Sequence, residues 1–267
     1  MQSFSPPEVE DLKRTFAEDG YLVFRGVVPR PMLADFRIKL LDALELCQRT
    51  GCLFNGGGTI SGHLNCVPGE AARSPYDALK AHGIVDLLPQ LAPNAFGPMR
   101  VGCNVNLPGS VAQHYHMDGI FLEDFLIVNV AVVDTDLVNG AIDVAPGTQK
   151  RFYKYCDFAM GRVYNLSKRL PLAQGDVLVR TSKLWHRGMP NKASVPRPML
   201  AYTFGEKGVR EGDAFRESKD GGILFDTNWF KPTALGRLRE KTFVTAPITY
   251  SAYRFVTSLF DDKGYDH

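Results

Sequence analysis

The chain has 267 residues, 45% hydrophobic and 22% charged, a balance that supports a buried core and excludes wholesale disorder. Lysine and arginine total 31 against 29 aspartates and glutamates, so no global charge draws the chain to nucleic acid or to an anionic membrane. Apolar runs such as residues 127–133 are far too short for a bilayer span.

The opening Met1-Gln-Ser-Phe-Ser-Pro-Pro lacks a basic region followed by an apolar segment, so no secretion signal is expected. The five cysteines are odd in number and form no CxxC pair. Neither a disulfide framework nor a cysteine-built zinc site is expected, and a reducing cytoplasm is the expected compartment.

In chain order, Ser5-Pro6-Pro7-Glu8 reads as a helix start: a capping serine, prolines in the first turn and an acid three residues on. Asp19-Gly20 stops that helix, and residues 21–28 form a β-rich run. Pro31 opens a second helix with Leu33, Phe36, Leu40 and Leu44 along one side. Residues 51–75 are glycine-rich and without period, a long loop of the kind that is often functional. The spacing predicts another helix over 76–91. From residue 99 the pattern changes to short β-runs, near 99–107, 112–118, 125–134, 140–145, 169–173, 176–181, 184–188 and 198–205. Eight such strands predict a mainly β fold with supporting helices, a sandwich or barrel of the jelly-roll kind. Residues 206–250 read as irregular, with turn-like Lys219-Asp220-Gly221-Gly222 and Asn228-Trp229-Phe230-Lys231-Pro232, before a last helix over 251–260. No repeat or internal linker appears. Residues 1–267 therefore read as one domain: a lead-in over 1–98, a β-core over 99–205, and an insertion with a C-terminal helix over 206–267.

The strongest chemical signal is Gln113-His114-Tyr115-His116-Met117-Asp118-Gly119. On a strand, residues two apart share a face, so His116 and Asp118 project together and His114 shares their parity. Of the other histidines, His186 stands out at the end of the strand-like run from Asp176. Two imidazoles and a carboxylate on one side of an ion make the facial triad of non-haem Fe(II) oxygenases; the alternative is a set of hydrogen-bonded histidines. Arg197 follows eleven residues after His186. Its guanidinium suits two-pronged pairing with a carboxylate, with a surface salt bridge as the plainer reading.

These residues resemble the phytanoyl-CoA dioxygenase superfamily of Fe(II)/2-oxoglutarate oxygenases, which includes ectoine hydroxylase. The likeness extends over most of the chain. It takes in Phe16-Ala-Glu-Asp-Gly20 with the strand after it, His116-Met117-Asp118, the turn Asn139-Gly140-Ala141 through Pro146-Gly147-Thr148-Gln149-Lys150, and Gly175-Asp176 with His186, Asn191 and Arg197. The resemblance implies a double-stranded β-helix, iron held by His116, Asp118 and His186, and Arg197 on the far carboxylate of 2-oxoglutarate, with dioxygen as the second cosubstrate. It implies oxidation of a C–H bond, most often hydroxylation, with release of succinate and carbon dioxide. Two departures are visible: Thr148-Gln149 stands where the family turn has Ser-His, and Gly188 stands where a hydroxyl residue often assists the arginine. Asp118 is intact, which disfavours halogenation.

Further residues have two readings each. Asn104 and Asn129 interrupt apolar strands, either as structural hydrogen-bonding groups or as donors to 2-oxoglutarate. His63 and Asn65 in the glycine-rich loop, and Trp229 in the late insertion, are candidates for contact with substrate, with ordinary packing as the alternative. No basic patch suits a coenzyme A phosphate, so a small polar metabolite, a sugar or a natural-product intermediate is the expected substrate. Two competing classes stay open: a jelly-roll module with a metal site but no oxygenase activity, and a zinc hydrolase using the same three ligands.

Overall fold

Alternation of side chains along the strands sorts the molecule into layers. The computed structural model describes residues 4–93, 99–205, 212–216, 221–226 and 229–260; Lys219, Asp220 and Asn228 of the expected turns lie outside the described residues. The described strands form two antiparallel sheets. The larger sheet joins, in spatial order, β1 (Tyr21–Phe24), β7 (Val177–Thr181), β4 (Leu126–Ala131), β9 (Arg197–Phe204), β3 (Met99–Asn106), β2 (His63–Val67) and β10 (Leu224–Asp226). The smaller joins β6 (Lys168–Leu170), β5 (Ile142–Val144) and β8 (His186–Arg187).

One face of the large sheet carries Leu64, Val101, Cys103, Val105, Leu126, Val128, Val177, Val179, Leu200 and Tyr202 into the main core. Against it pack α1 (Pro6–Asp19), α2 (Arg30–Thr50), α3 (Arg73–Ala81) and α4 (Ile84–Leu91) through Phe16, Leu33, Phe36, Leu40, Leu79, Leu87 and Leu88. Each such fully buried Leu, Val or Phe contributes about 1.5–3 kcal/mol relative to exposure. Period-2 alternation then forces the intervening residues, including His63, Asn65, Asn104, Asn129, Arg180 and Arg197, to the opposite face, towards the small sheet. That is the helix-backed jelly roll the sequence predicts.

Several local expectations are corrected. Residues 112–118 are not a regular strand: His116 and His186 pair as a single bridge, and Gln113 and Asp118 are tied to Gly188 and Ser182 by individual backbone bonds. The expected helix over 76–91 is two helices, broken where Gly83 adopts φ 81°, a conformation glycine tolerates at no steric cost. The glycine-rich stretch contains β2, a short α5 (Tyr155–Met160) lies between β5 and β6, and the late insertion contains β10, α6 (Ala234–Thr245) and the start of α7 (Pro247–Ser258). Cys47 and Cys52 are joined across the end of α2, where no disulfide was expected; Cys66, Cys103 and Cys156 are free and buried. The start of α1 is as expected: the Glu8 carboxylate accepts from the Ser5 backbone N–H at 2.7 Å and from its hydroxyl at 2.6 Å. No described helix is long and apolar enough to cross a membrane.

Candidate active site

Between the two sheets lies a cavity of about 380 Å³. Nine of the residues singled out in the sequence line it: His63, Asn65, Asn104, His116, Asp118, Asn129, His186, Arg197 and Trp229. The ligand atoms of His116, Asp118 and His186 lie within 4.8 Å of one another, so this trio could hold a metal ion. His186 Nε2 is 3.6 Å from Asp118 Oδ2, and His116 Nε2 is 3.9 Å from Asp118 Oδ1.

The backbone fixes the imidazoles. Each Nδ1 sits 2.9 Å from a carbonyl two residues back, His114 O for His116 and Leu184 O for His186. A carbonyl only accepts, so Nδ1 carries the proton and Nε2 presents its lone pair to the shared space. Burial pushes His116 down to about 3, so it is neutral at working pH. Burial opposes the charge on Asp118, but the Arg180 guanidinium hydrogen-bonded to it holds its carboxyl below the usual carboxylate range. A neutral His116 and an ionised Asp118 are in the protonation states that metal binding requires.

Arg180, which the sequence reading missed, backs the trio. Its Nη1 donates to Asp118 Oδ2 at 2.5 Å and its Nε to Asn129 Oδ1 at 3.1 Å. The signal was present: an arginine at inward parity between Val179 and Thr181 in an otherwise apolar strand must find an anion when buried. Asn104 Nδ2 donates to Asn65 Oδ1 at 3.2 Å across the β2–β3 register. Both asparagines expected at the cosubstrate therefore line the cavity while also engaging neighbours within it.

His114 does not share the cavity. Its ring stacks on Trp229 at 4.5 Å, and Phe243 and Tyr250 close around it. Trp229 in turn comes within 5.5 Å of the His116 ring. The late insertion thus lays an aromatic wall beside the trio. His63 also lines the cavity, its Nε2 2.7 Å from Val111 O.

The phytanoyl-CoA dioxygenase (PhyH) family matches residues 16–199. The chain belongs to that family. It is an Fe(II)- and 2-oxoglutarate-dependent oxygenase, and the donor set fits both groups. Arg197 supplies the second half of that fit. It is buried, its Nη2 donates to Gly140 O at 3.1 Å, and its Nε has no hydrogen-bond partner. Burial pushes this guanidinium down to about 10. A buried cation with an unsatisfied donor edge calls for an anion, and 2-oxoglutarate has one to offer at each end. Solved structures share the fold of this PhyH protein. The non-heme alpha ketoglutarate dependent epimerase SnoN from nogalamycin biosynthesis is 19% identical with a TM-score of 0.54, over 75% of this chain and 82% of that one. The carbocyclase SnoK from the same biosynthesis is 17% identical with a TM-score of 0.57, over 75% and 83%. AviO1 from Streptomyces viridochromogenes is 15% identical with a TM-score of 0.58, over 79% and 100%.

Proposed function

We propose that this oxygenase oxidises an unactivated C–H bond of a ring-bearing natural-product intermediate, most often by hydroxylation, with release of succinate and carbon dioxide. The observation that carries the reading is the composition of the cavity. The metal trio and Arg197 share it with an apolar lining, Ile142, Leu178, Met199 and Ala201, and with Trp229. Pockets of this size suit a small molecule with an apolar body and few polar handles. The solved relatives SnoN and SnoK act in nogalamycin biosynthesis, and SnoN has been solved with Fe3+, alpha ketoglutarate and nogalamycin RO. These support an intermediate of that kind over an acyl-CoA or a protein.

In this reading His116, Asp118 and His186 hold iron, and Arg197 anchors the far carboxylate of 2-oxoglutarate. Bound iron and cosubstrate supply the oxidising chemistry; the protein supplies binding, orientation and exclusion of water. Arg180 keeps Asp118 ionised and aimed. Trp229 presents a flat wall against which a ring can stack, while His63 and Asn65 offer polar contacts. The chain works as one oxygenase domain, since the late insertion contributes Trp229 to a site built on the β-core.

A substrate screen read by succinate release tests this, with the product mass as second readout. Gain of one oxygen marks hydroxylation, loss of two hydrogens marks ring closure or desaturation, and unchanged mass marks epimerisation. Succinate release coupled only to acyl-CoA substrates would contradict the proposal.

A further inference from the structure

Helix α7 is turned inside out. Its buried side chains are Arg254 and Ser258, 4% and 7% exposed, whereas Ile248 and Val256 stand 85% and 56% exposed. The inward polar groups are engaged. Arg254 Nη1 donates to Tyr115 O at 3.0 Å, with the guanidinium 4.0 Å over the Tyr155 ring, and Ser258 Oγ accepts from Cys156 N–H at 2.9 Å. The outward residues Ile248, Ala252, Val256 and Leu259 recur at helical spacing along one face, and exposed Phe260 continues it. A surface helix of a globular protein turns its apolar stripe to the core. This one turns it to solvent, which marks an interaction site.

Helix α6 packs beside it, with Phe243 and Tyr250 in ring contact at 5.2 Å, and carries the charge. The near-neutral total of the chain hides a local excess. Between residues 229 and 260 five lysines and arginines stand against one acid, and that acid, Glu240, is buried. At about 100° per residue, exposed Leu235 and Leu238 lie between Arg239 on one side and Arg237 and Lys241 on the other. An apolar stripe flanked by cations is the pattern of a helix lying in the plane of a membrane surface. The hydroxyls of these helices fit that pattern. Thr242, Thr245 and Thr257 each donate to a carbonyl of their own helix, at 2.9, 2.8 and 3.0 Å. A specific protein interface carries a polar rim of directed hydrogen bonds, and these hydroxyls are already spent. A second copy would bring the same cations, with no exposed acid on either helix to answer them.

We propose that the outer faces of α6 and α7 dock on an anionic lipid surface, the apolar stripe entering the headgroup boundary and Arg237, Arg239 and Lys241 meeting the phosphates. The inward side chains Phe243 and Tyr250 of the same helices close around His114, so the docking surface is the back of the cavity's aromatic wall. The test is cosedimentation of the full chain with vesicles of phosphatidylcholine alone and of phosphatidylcholine mixed with phosphatidylserine. Wild type should bind the mixed vesicles roughly tenfold or more tighter, and salt should weaken that binding. Glutamine at Arg237, Arg239 and Lys241 together should weaken it roughly a hundredfold, about fivefold per cation. Ile248→Ser with Val256→Ser should weaken it about tenfold or more for each side chain. All five residues are exposed, so both variants should melt with wild type. No binding of wild type to the mixed vesicles would overturn the proposal and hand the face to an acidic protein. Equal binding to both vesicle types, or undiminished binding by both variants, would overturn it too. So would a wild-type dimer in sedimentation velocity that Ile248→Ser with Val256→Ser splits, since the face would then belong to a second copy.

Discussion

Asp118 is about a third exposed along its side chain, whereas Arg180, its partner at 2.5 Å, is 8% exposed. Arg180 is the main cation facing that carboxylate; on the proposal that Asp118 is an iron ligand, bound metal would share the role. Removing one partner of such a pair leaves the other uncompensated. Arg180→Met should therefore lower the Tm of the metal-free protein clearly, and lower that of the Fe(II)-loaded protein less. Equal losses in thermal melts with and without Fe(II) would show that Arg180 serves packing alone. Arg197 makes a different prediction. Losing one partner of a desolvated charged pair costs about 2–5 kcal/mol, roughly 30- to several-thousand-fold in affinity. Arg197→Ala should weaken 2-oxoglutarate binding by that range with little change for Fe(II), and Arg197→Lys, which keeps charge without the fork, should fall between. Equilibrium binding of 2-oxoglutarate to the three proteins checks the order.

At the scale of elements, the glycine-rich loop owes its shape to one buried acid. Glu240 on α6 accepts through Oε1 from Gly58 N at 3.1 Å, Ile60 N at 3.2 Å, Ser61 N at 2.8 Å and Ser61 Oγ at 2.7 Å. The loop wraps a carboxylate from 180 residues away and delivers His63 and Asn65 to the cavity. Glu240→Gln keeps an acceptor oxygen for these bonds but removes its charge, and puts an N–H at the buried Oε2 position, which has no hydrogen-bond partner. It should destabilise the fold by about 1.5–3 kcal/mol and weaken substrate binding more than iron binding, read by denaturant melts and KM. The β-core was legible because inward and outward residues alternate along β3, β4, β7 and β9; polar interruption of apolar strands singled out Asn104 and Asn129, whereas Arg197, which stands at the start of β9, was marked by the family resemblance. The Glu240 contact was not, since nothing local in residues 234–245 marks that acid for burial against a distant loop. For the same reason β2 was missed: a short strand with Asn65 at its centre shows its period only once it pairs with β3. His114 misled, because 112–118 is a bridged segment, so strand parity does not carry across it.

Across the whole molecule, neutral histidines are buried to make the site. Burial is the main cause that pushes His63 down to about 4 and His116 to about 3, against an ordinary 6.5. Between those values the unfolded chain binds protons that the folded one refuses, so stability rises with pH. The metal-free protein should be fully stable above about pH 6.5 and lose stability as pH falls towards 4, on the order of 3 kcal/mol from His63 alone. Denaturant melts from pH 7.5 to 4.5 check this, and His63→Gln should flatten the slope. The central claim is that His116, Asp118 and His186 form an iron site at which 2-oxoglutarate binds beside the metal. Anaerobic addition of Fe(II) and then 2-oxoglutarate, watched for the metal-to-keto-acid charge-transfer band, tests it most directly. The account predicts a saturable band in wild type and none in Asp118→Ala or His186→Ala that remain folded; no band in wild type, or an undiminished one in both variants, would contradict it.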